Sequence, residues 1–271
     1  VPENNIRVAE VDTNDTWSRD FGPITVVNDD KPKILDFRFN GWGNKFPAEL
    51  DDKVTATLAG QGFFTSAPLE VDMVLEGGSI DSDGKGNLLT TSVCLFNPNR
   101  NPAMNREEIS LALRQELGID KILWLQSGGL EGDDTDSHID ILARFAPDDT
   151  ILYVSCGEDD VHFSELDAMR RELETFRSFD DQPFRLVPLP LPAPVFGSNG
   201  ERLAATYANF LVINGAVLVP TYNDPKDGDA CQTIAAAFPG REIIPINCLP
   251  LIHQGGSLHC STMQLPKGAL A

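Results

Sequence analysis

The chain has 271 residues, 41% of them hydrophobic, enough for a sizeable core in one large domain or two small ones, and its 41 acidic against 21 basic residues leave a formal charge of −20. A field of that sign repels phosphate backbones and anionic lipid, and no Lys/Arg cluster interrupts it, so nucleic acid and membrane are poor partners and a small cation is a better one. The five cysteines are scattered without a C-x-x-C pair, which argues against a disulfide framework or thiolate zinc site and for a reducing, cytoplasmic setting; no apolar run approaches the roughly 20 residues of a membrane span.

In chain order, "PITVV" (23–27) and "NLLTTSVCLF" (87–96) predict strands. "NREEISLALRQEL" (105–117) has helical periodicity, a good N-cap in Asn105 and a stop at Gly118. Strands follow at 122–125, 138–145 and 150–154, then a helix over 164–176. The proline-rich stretch 188–200 predicts an extended surface connection, 210–222 a strand, 227–240 a helix ending before Pro239, and 258–265 a last strand. Alternating strands and helices mean α/β. Polar clusters recur beside the strands at intervals of roughly 50 to 70 residues, the size of a ββαβ unit, and five such units would close into a ring.

The densest cluster, "LEGDDTDSHIDILARF" (130–145), combines five acids with His138. An extended chain puts Asp136, His138 and Asp140 on one face, whereas a helix places His138 and Asp140 on opposite faces. The D-x-H-x-D spacing has three readings: a metal site, a general acid/base, or a polar strand edge. With three other histidines, none paired with another at i+2 or i+4, metal is the weakest of these. Cys260 sits in a polar segment behind Gly255 and Gly256, which permit close backbone approach of a ligand, so a nucleophilic thiol rivals a semi-buried structural one; His259 reads as a structural hydrogen-bonding neighbour. Taken singly, Trp17 and Asp20 in "WSRD", Glu76 in "LEGGS" and Asn209 in "YANF" read as a buried aromatic, a surface acid beside Arg19, a turn and a strand-start cap.

Taken together, "WSRDFGPI", "LEGGSIDSDGKGNLLTTSVCLFNPNRNP", "GDDTDSHIDILARF", "RLAATYANF" and "GGSLHCSTMQLP" resemble the agmatine deiminases and bacterial peptidylarginine deiminase-like proteins of the guanidine-modifying, or pentein, superfamily. The resemblance implies one domain over residues 1–271, an α/β-propeller of five ββαβ units around a central site, with the first unit incomplete on its N-terminal side. It implies that Cys260 is the nucleophile, His138 the general acid/base, Asp140 and Asp20 the groups that grip the guanidinium, with Glu76 supporting them and Trp17, Asn209 and Gly256 lining the substrate. The reaction expected is hydrolysis of agmatine through a covalent thiouronium, without metal or organic cofactor. Arginine or peptidyl-arginine deimination, amidinotransfer and non-catalytic guanidine binding are the alternatives. A substrate carboxylate would need a cation near the motifs, for which Arg19, Arg100 and Arg144 are available. Homo-oligomers are a further family expectation.

Overall fold

The computed structural model describes residues 5–29 and 31–271. Its twelve strands form four three-stranded sheets: β1 Ile24–Asn28, β2 Lys31–Arg38 and β3 Leu69–Val74; β4 Ile80–Ser82, β5 Asn87–Thr91 and β6 Lys121–Leu125; β7 Ala143–Ala146, β8 Thr150–Ser155 and β9 Arg185–Pro190; β10 Leu211–Ile213, β11 Ala216–Thr221 and β12 Glu242–Asn247. Within each sheet the first two strands pair antiparallel and the third joins the second in parallel. A parallel neighbour requires a crossover, and the helices Val54–Gly60, Arg106–Leu117, Phe163–Thr175 and Asp227–Ala237 supply one per sheet. The described residues thus form four successive ββαβ units, and the first of them, β1 to β3, is complete where an incomplete first unit of five was expected. Beyond β12, the C-terminal segment returns to the first unit, where Ala271 N donates to Phe63 O and Thr65 N to Ala269 O.

Middle strands are the most buried, as their two-sided pairing demands: β5 is buried throughout and β8 nearly so. A continuous core joins the second, third and fourth units through Leu89, Leu123, Ile151, Phe210 and Val217. Helix Arg106–Leu117 begins as the sequence predicts, with Asn105 Oδ1 accepting from Glu108 N at 3.0 Å, Glu108 Oε2 accepting from Asn105 N at 2.8 Å, and Gly118 left-handed at its end.

Five expectations about single segments change. Residues 138–145 are not one strand: Asp136 and Ser137 have left-handed φ of 68° and 63°, Ile139–Ile141 is a 3-10 turn, and extension begins only at Ala143. Asp133 drives this break, its carboxylate accepting from Thr135 N at 2.9 Å and Ser137 N at 2.7 Å in place of a strand partner. Asp136 therefore does not share a face with His138 and Asp140. Residues 258–265 likewise form no strand: 258–261 turn and 262–265 are irregular, and His259 N and Cys260 N are satisfied by the side-chain oxygen of Asn209. In 87–96 extension ends at Thr91, which caps the helical turn Ser92–Leu95. The proline-rich stretch opens inside β9, burying Leu189 and Leu191, rather than on the surface. Asn214-Gly215 divides the apolar run 210–222 into β10 and β11.

Asn105→Ala removes a reciprocal cap from an otherwise standard helix and is expected to cost about 1 kcal/mol, measurable as a lower urea midpoint with an unchanged slope.

Candidate active site

Each unit is preceded by a short turn that carries one polar group inward. Asp20 lies in the helical turn Ser18–Phe21 ahead of β1, Glu76 opens the turn Gly77–Ser79 ahead of β4, Asp140 lies in the turn ahead of β7, and Asn209 stands two residues ahead of β10. The turn after β12 brings Cys260 to the same place, its Sγ 3.4 Å from Asn209 Nδ2 and 3.9 Å from Asp140 Oδ2. Of these groups Asp20 and Cys260 open on a cavity of about 110 Å³, lined also by Trp17, Trp42, Phe46 and Gly256, with Asp15 and Asp134 on its wall, while Glu76, Asp140 and Asn209 lie behind them. The eight residues singled out in the sequence, Trp17, Asp20, Glu76, His138, Asp140, Asn209, Gly256 and Cys260, are brought together here. Asp136 is not among them: it binds Arg100 Nη1 at 2.6 Å and Lys45 Nζ at 2.7 Å.

The charged groups are buried and mutually supported. Asp20 accepts from Trp42 Nε1 and from Gly78 N, both at 2.9 Å, and its Oδ1 lies 3.7 Å from His138 Nδ1. His138 Nε2 is 3.6 Å from Glu76 Oε2, and Glu76 is held in turn by Arg100 Nε at 2.8 Å. Burial opposes charge on His138, but Asp20, the Cys94 thiol and Glu76 outweigh it and raise its pKa well above the ordinary value. Burial raises Asp20, with His138 and the Trp42 and Gly78 donors opposing, and pushes Asp140 up to about 6. Burial and the charges of Asp140 and Asp20 raise the Cys260 thiol well above its usual range. The site therefore holds an imidazolium and a neutral thiol beside two carboxylates that a cation would help to ionise.

Close packing fixes the glycines. A Cβ on Gly78 would lie 2.6 Å from His138 Nδ1 and 2.8 Å from Asp20 Oδ1, and one on Gly256 would lie 2.7 Å from the Trp17 ring. Glu76, Cys94 and His138 bring one ligand atom each to within 4.8 Å of one another, a trio that could grip a metal ion, but Arg100 already occupies the carboxylate with a positive charge.

Sequence reading missed Trp42, Cys94 and Lys45, and it missed the role of Arg100 as the partner of Glu76. Trp42 has a signal in its flanking glycines: Gly41, Trp42, Gly43 and Asn44 all adopt left-handed φ, which for a bulky residue is costly and aims the indole at Asp20. The three arginines considered for a substrate carboxylate are all buried and committed, Arg19 to His259 O and Gln264, Arg100 to Glu76 and Asp136, Arg144 to Asp81 and two carbonyls.

The profile of the Porphyromonas-type peptidyl-arginine deiminase family matches residues 1–266. The chain belongs to this family. Its relatives include agmatine deiminase of Pseudomonas aeruginosa, 35% identical over 97% of this chain and 78% of that protein. Among solved structures, a Porphyromonas gingivalis protein provisionally named an arginine deiminase superposes with a TM-score of 0.96 at 48% identity, over 100% of this chain and 81% of its own. Agmatine deiminase of C. jejuni with substrate bound gives 0.89 at 43% identity, over 96% of this chain and 76% of its own. Dimethylarginine dimethylaminohydrolase, at 14% identity and a TM-score of 0.52, shares the fold. The agmatine deiminases among these relatives are hydrolases acting on carbon–nitrogen bonds, and this chain is an enzyme of that class.

Gly78→Ala is expected to keep the fold yet lower ammonia release from a guanidine substrate by about 100-fold, because its methyl group displaces His138 and Asp20; circular dichroism beside the turnover assay checks both halves.

Proposed function

We propose that this enzyme hydrolyses agmatine to N-carbamoylputrescine and ammonia, with Cys260 as nucleophile and His138 as general acid and base. The observation that carries this reading is that the two cavity-lining groups, the carboxylate of Asp20 and the thiol of Cys260, stand directly against a buried imidazole, His138 at 3.7 Å from Asp20, and a second buried carboxylate, Asp140 at 3.9 Å from Cys260. Guanidinium is planar and permanently charged, so it becomes electrophilic at carbon only when carboxylates grip its N–H edges. Asp140 Oδ1 is buried with no hydrogen-bond partner among the described residues, which suits it to such a grip.

The cation's arrival supplies the charge that the thiol lacks. A positive group beside Cys260 lowers its pKa, and the thiolate attacks the guanidinium carbon to form a tetrahedral adduct. Protonated His138 donates to the departing nitrogen, ammonia leaves, and a thiouronium remains on Sγ. Neutral His138 then takes a proton from water, whose oxygen attacks the same carbon; the C–S bond breaks and the thiol and the carbamoyl product are released. Trp17, Trp42 and Phe46 would cover the alkyl stem. The wall acids Asp15 and Asp134, with no basic residue on that wall among the described residues, favour a distal ammonium over the carboxylate of arginine. The small cavity favours a free amine over a peptide. The four ββαβ units, whose leading turns all carry a polar group to one site, support a single pentein domain over residues 1–271.

Cys260→Ala is expected to retain the fold and abolish ammonia release; turnover above about 1% of the unaltered protein would contradict a thiol nucleophile. Among agmatine, arginine and a blocked arginine peptide, agmatine is expected to be the preferred substrate. Agmatine binding to the Cys260→Ala protein should weaken as pH falls below about 6. The carboxylate of Asp140 is then protonated and its grip on the cation is lost, at a limit of about tenfold per pH unit. Calorimetry across that range checks the sign.

A further inference from the structure

Arg144, on β7, is buried and makes four polar contacts. Its Nε donates to Asp81 Oδ1 at 3.0 Å, its Nη1 donates to Phe210 O at 2.9 Å and Ala208 O at 3.3 Å, and its Nη2 meets His259 Nε2 at 3.3 Å. A guanidinium has donors only, so His259 Nε2 must accept. That leaves the ring proton on Nδ1, which stands 2.8 Å from Asp140 Oδ2. Burial, with Arg144, Arg19 and His138 nearby, holds the pKa of His259 well below its ordinary value, consistent with a neutral ring. Asp140 Oδ2 also accepts from Asn209 Nδ2 at 3.1 Å. One oxygen of Asp140 thus accepts from the neutral donors of His259 and Asn209 with the Cys260 thiol 3.9 Å away, and the other, Oδ1, has no hydrogen-bond partner among the described residues.

We propose that His259 is a positioning residue: fixed by Arg144 as the neutral Nδ1–H tautomer, it anchors Asp140 Oδ2 and thereby turns Oδ1 toward the guanidinium. The inference rests on the reading of Asp140 as a substrate acceptor. It also gives Arg144 and Asp81 a role, since Asp81, Arg144, His259 and Asp140 form one chain of hydrogen bonds running from β4 to the site. A doubly protonated His259 would place a cation against Arg144, and an Nε2–H tautomer would set two donors face to face while leaving a bare lone pair against the carboxylate. Both alternatives oppose the observed contacts.

Histidine ¹⁵N NMR on the unaltered protein, with His259 assigned by comparison with His259→Asn, reads the tautomer directly and needs no substrate. The expected result is a protonated Nδ1 and an unprotonated Nε2 from pH 6 to 9; an Nε2–H or doubly protonated ring overturns the proposal. A failure here is distinct from a failure of the deiminase reading, which would appear as no turnover by the unaltered protein. In the activity arm, His259→Leu removes the donor and is expected to lower kcat/KM for agmatine at least about tenfold. His259→Asn, whose amide nitrogen occupies the position of Nδ1, is expected to restore most of that loss. A Leu variant that folds with unchanged kcat/KM, or an Asn variant that folds and performs no better than Leu, also overturns it. Should the Leu variant not fold, the NMR result on the unaltered protein decides.

Discussion

Burying several carboxylates in one place is the constraint on which the rest of this structure depends. Asp20, Glu76 and Asp140 have almost no access to solvent, and an ionised carboxylate removed from water costs several kcal/mol unless donors replace the lost hydration. Some donors come from the same unit, Trp42 for Asp20 and Arg100 for Glu76, and others cross between units, Gly78 for Asp20 and His259 and Asn209 for Asp140. Asn209 also accepts from the backbone at His259 and Cys260. One amide thereby ties the third unit to the C-terminal turn. Apolar packing makes each unit cohere; polar satisfaction determines how their inner ends meet.

The same constraint accounts for the irregular backbone around the site. The left-handed run Gly41–Asn44 aims Trp42 at Asp20 and carries Lys45 to Asp136 and to the carbonyl of Asp134. Asp136, itself left-handed, receives Arg100 as well. A continuous set of contacts therefore runs from the cavity wall through Lys45, Asp136, Arg100 and Glu76 to His138. Strain at Trp42 and Asp136 is offset by these charged hydrogen bonds, which is why it collects beside the cavity and not in the sheets.

Much of the fold is legible in the sequence because it depends on local signals. The Asn105 cap and the Gly118 stop, the periodicity of 164–176, and the β-branched runs at 23–27 and 150–154 each specify backbone conformation within a few residues. The ββαβ repeat follows from their order. The site residues were legible only collectively: Asp20, Glu76 and Asn209 have unremarkable local readings, and the family resemblance of five segments linked them to His138 and Cys260. Two local readings misled. Alternation across Asp136, His138 and Asp140 suggested a strand, and polarity around Cys260 suggested another, because a pattern of side chains does not reveal that Asp133 and Asn209 will satisfy the backbone instead.

By itself, then, the sequence determined the class of fold, the spacing of the units and the presence of a thiol, an imidazole and carboxylates suited to a guanidinium. Only the tertiary structure decided which acid is buried against Cys260 and which binds the surrounding cations. Asp136 turns to Arg100 while Asp140, four residues on, turns inward; Arg144 dictates the proton of His259; Gly78 leaves the space that His138 and Asp20 fill. Those choices rest on contacts between residues up to 120 positions apart. Burial and hydrogen-bond geometry at such separations are properties of the packed chain, and no window of sequence contains them.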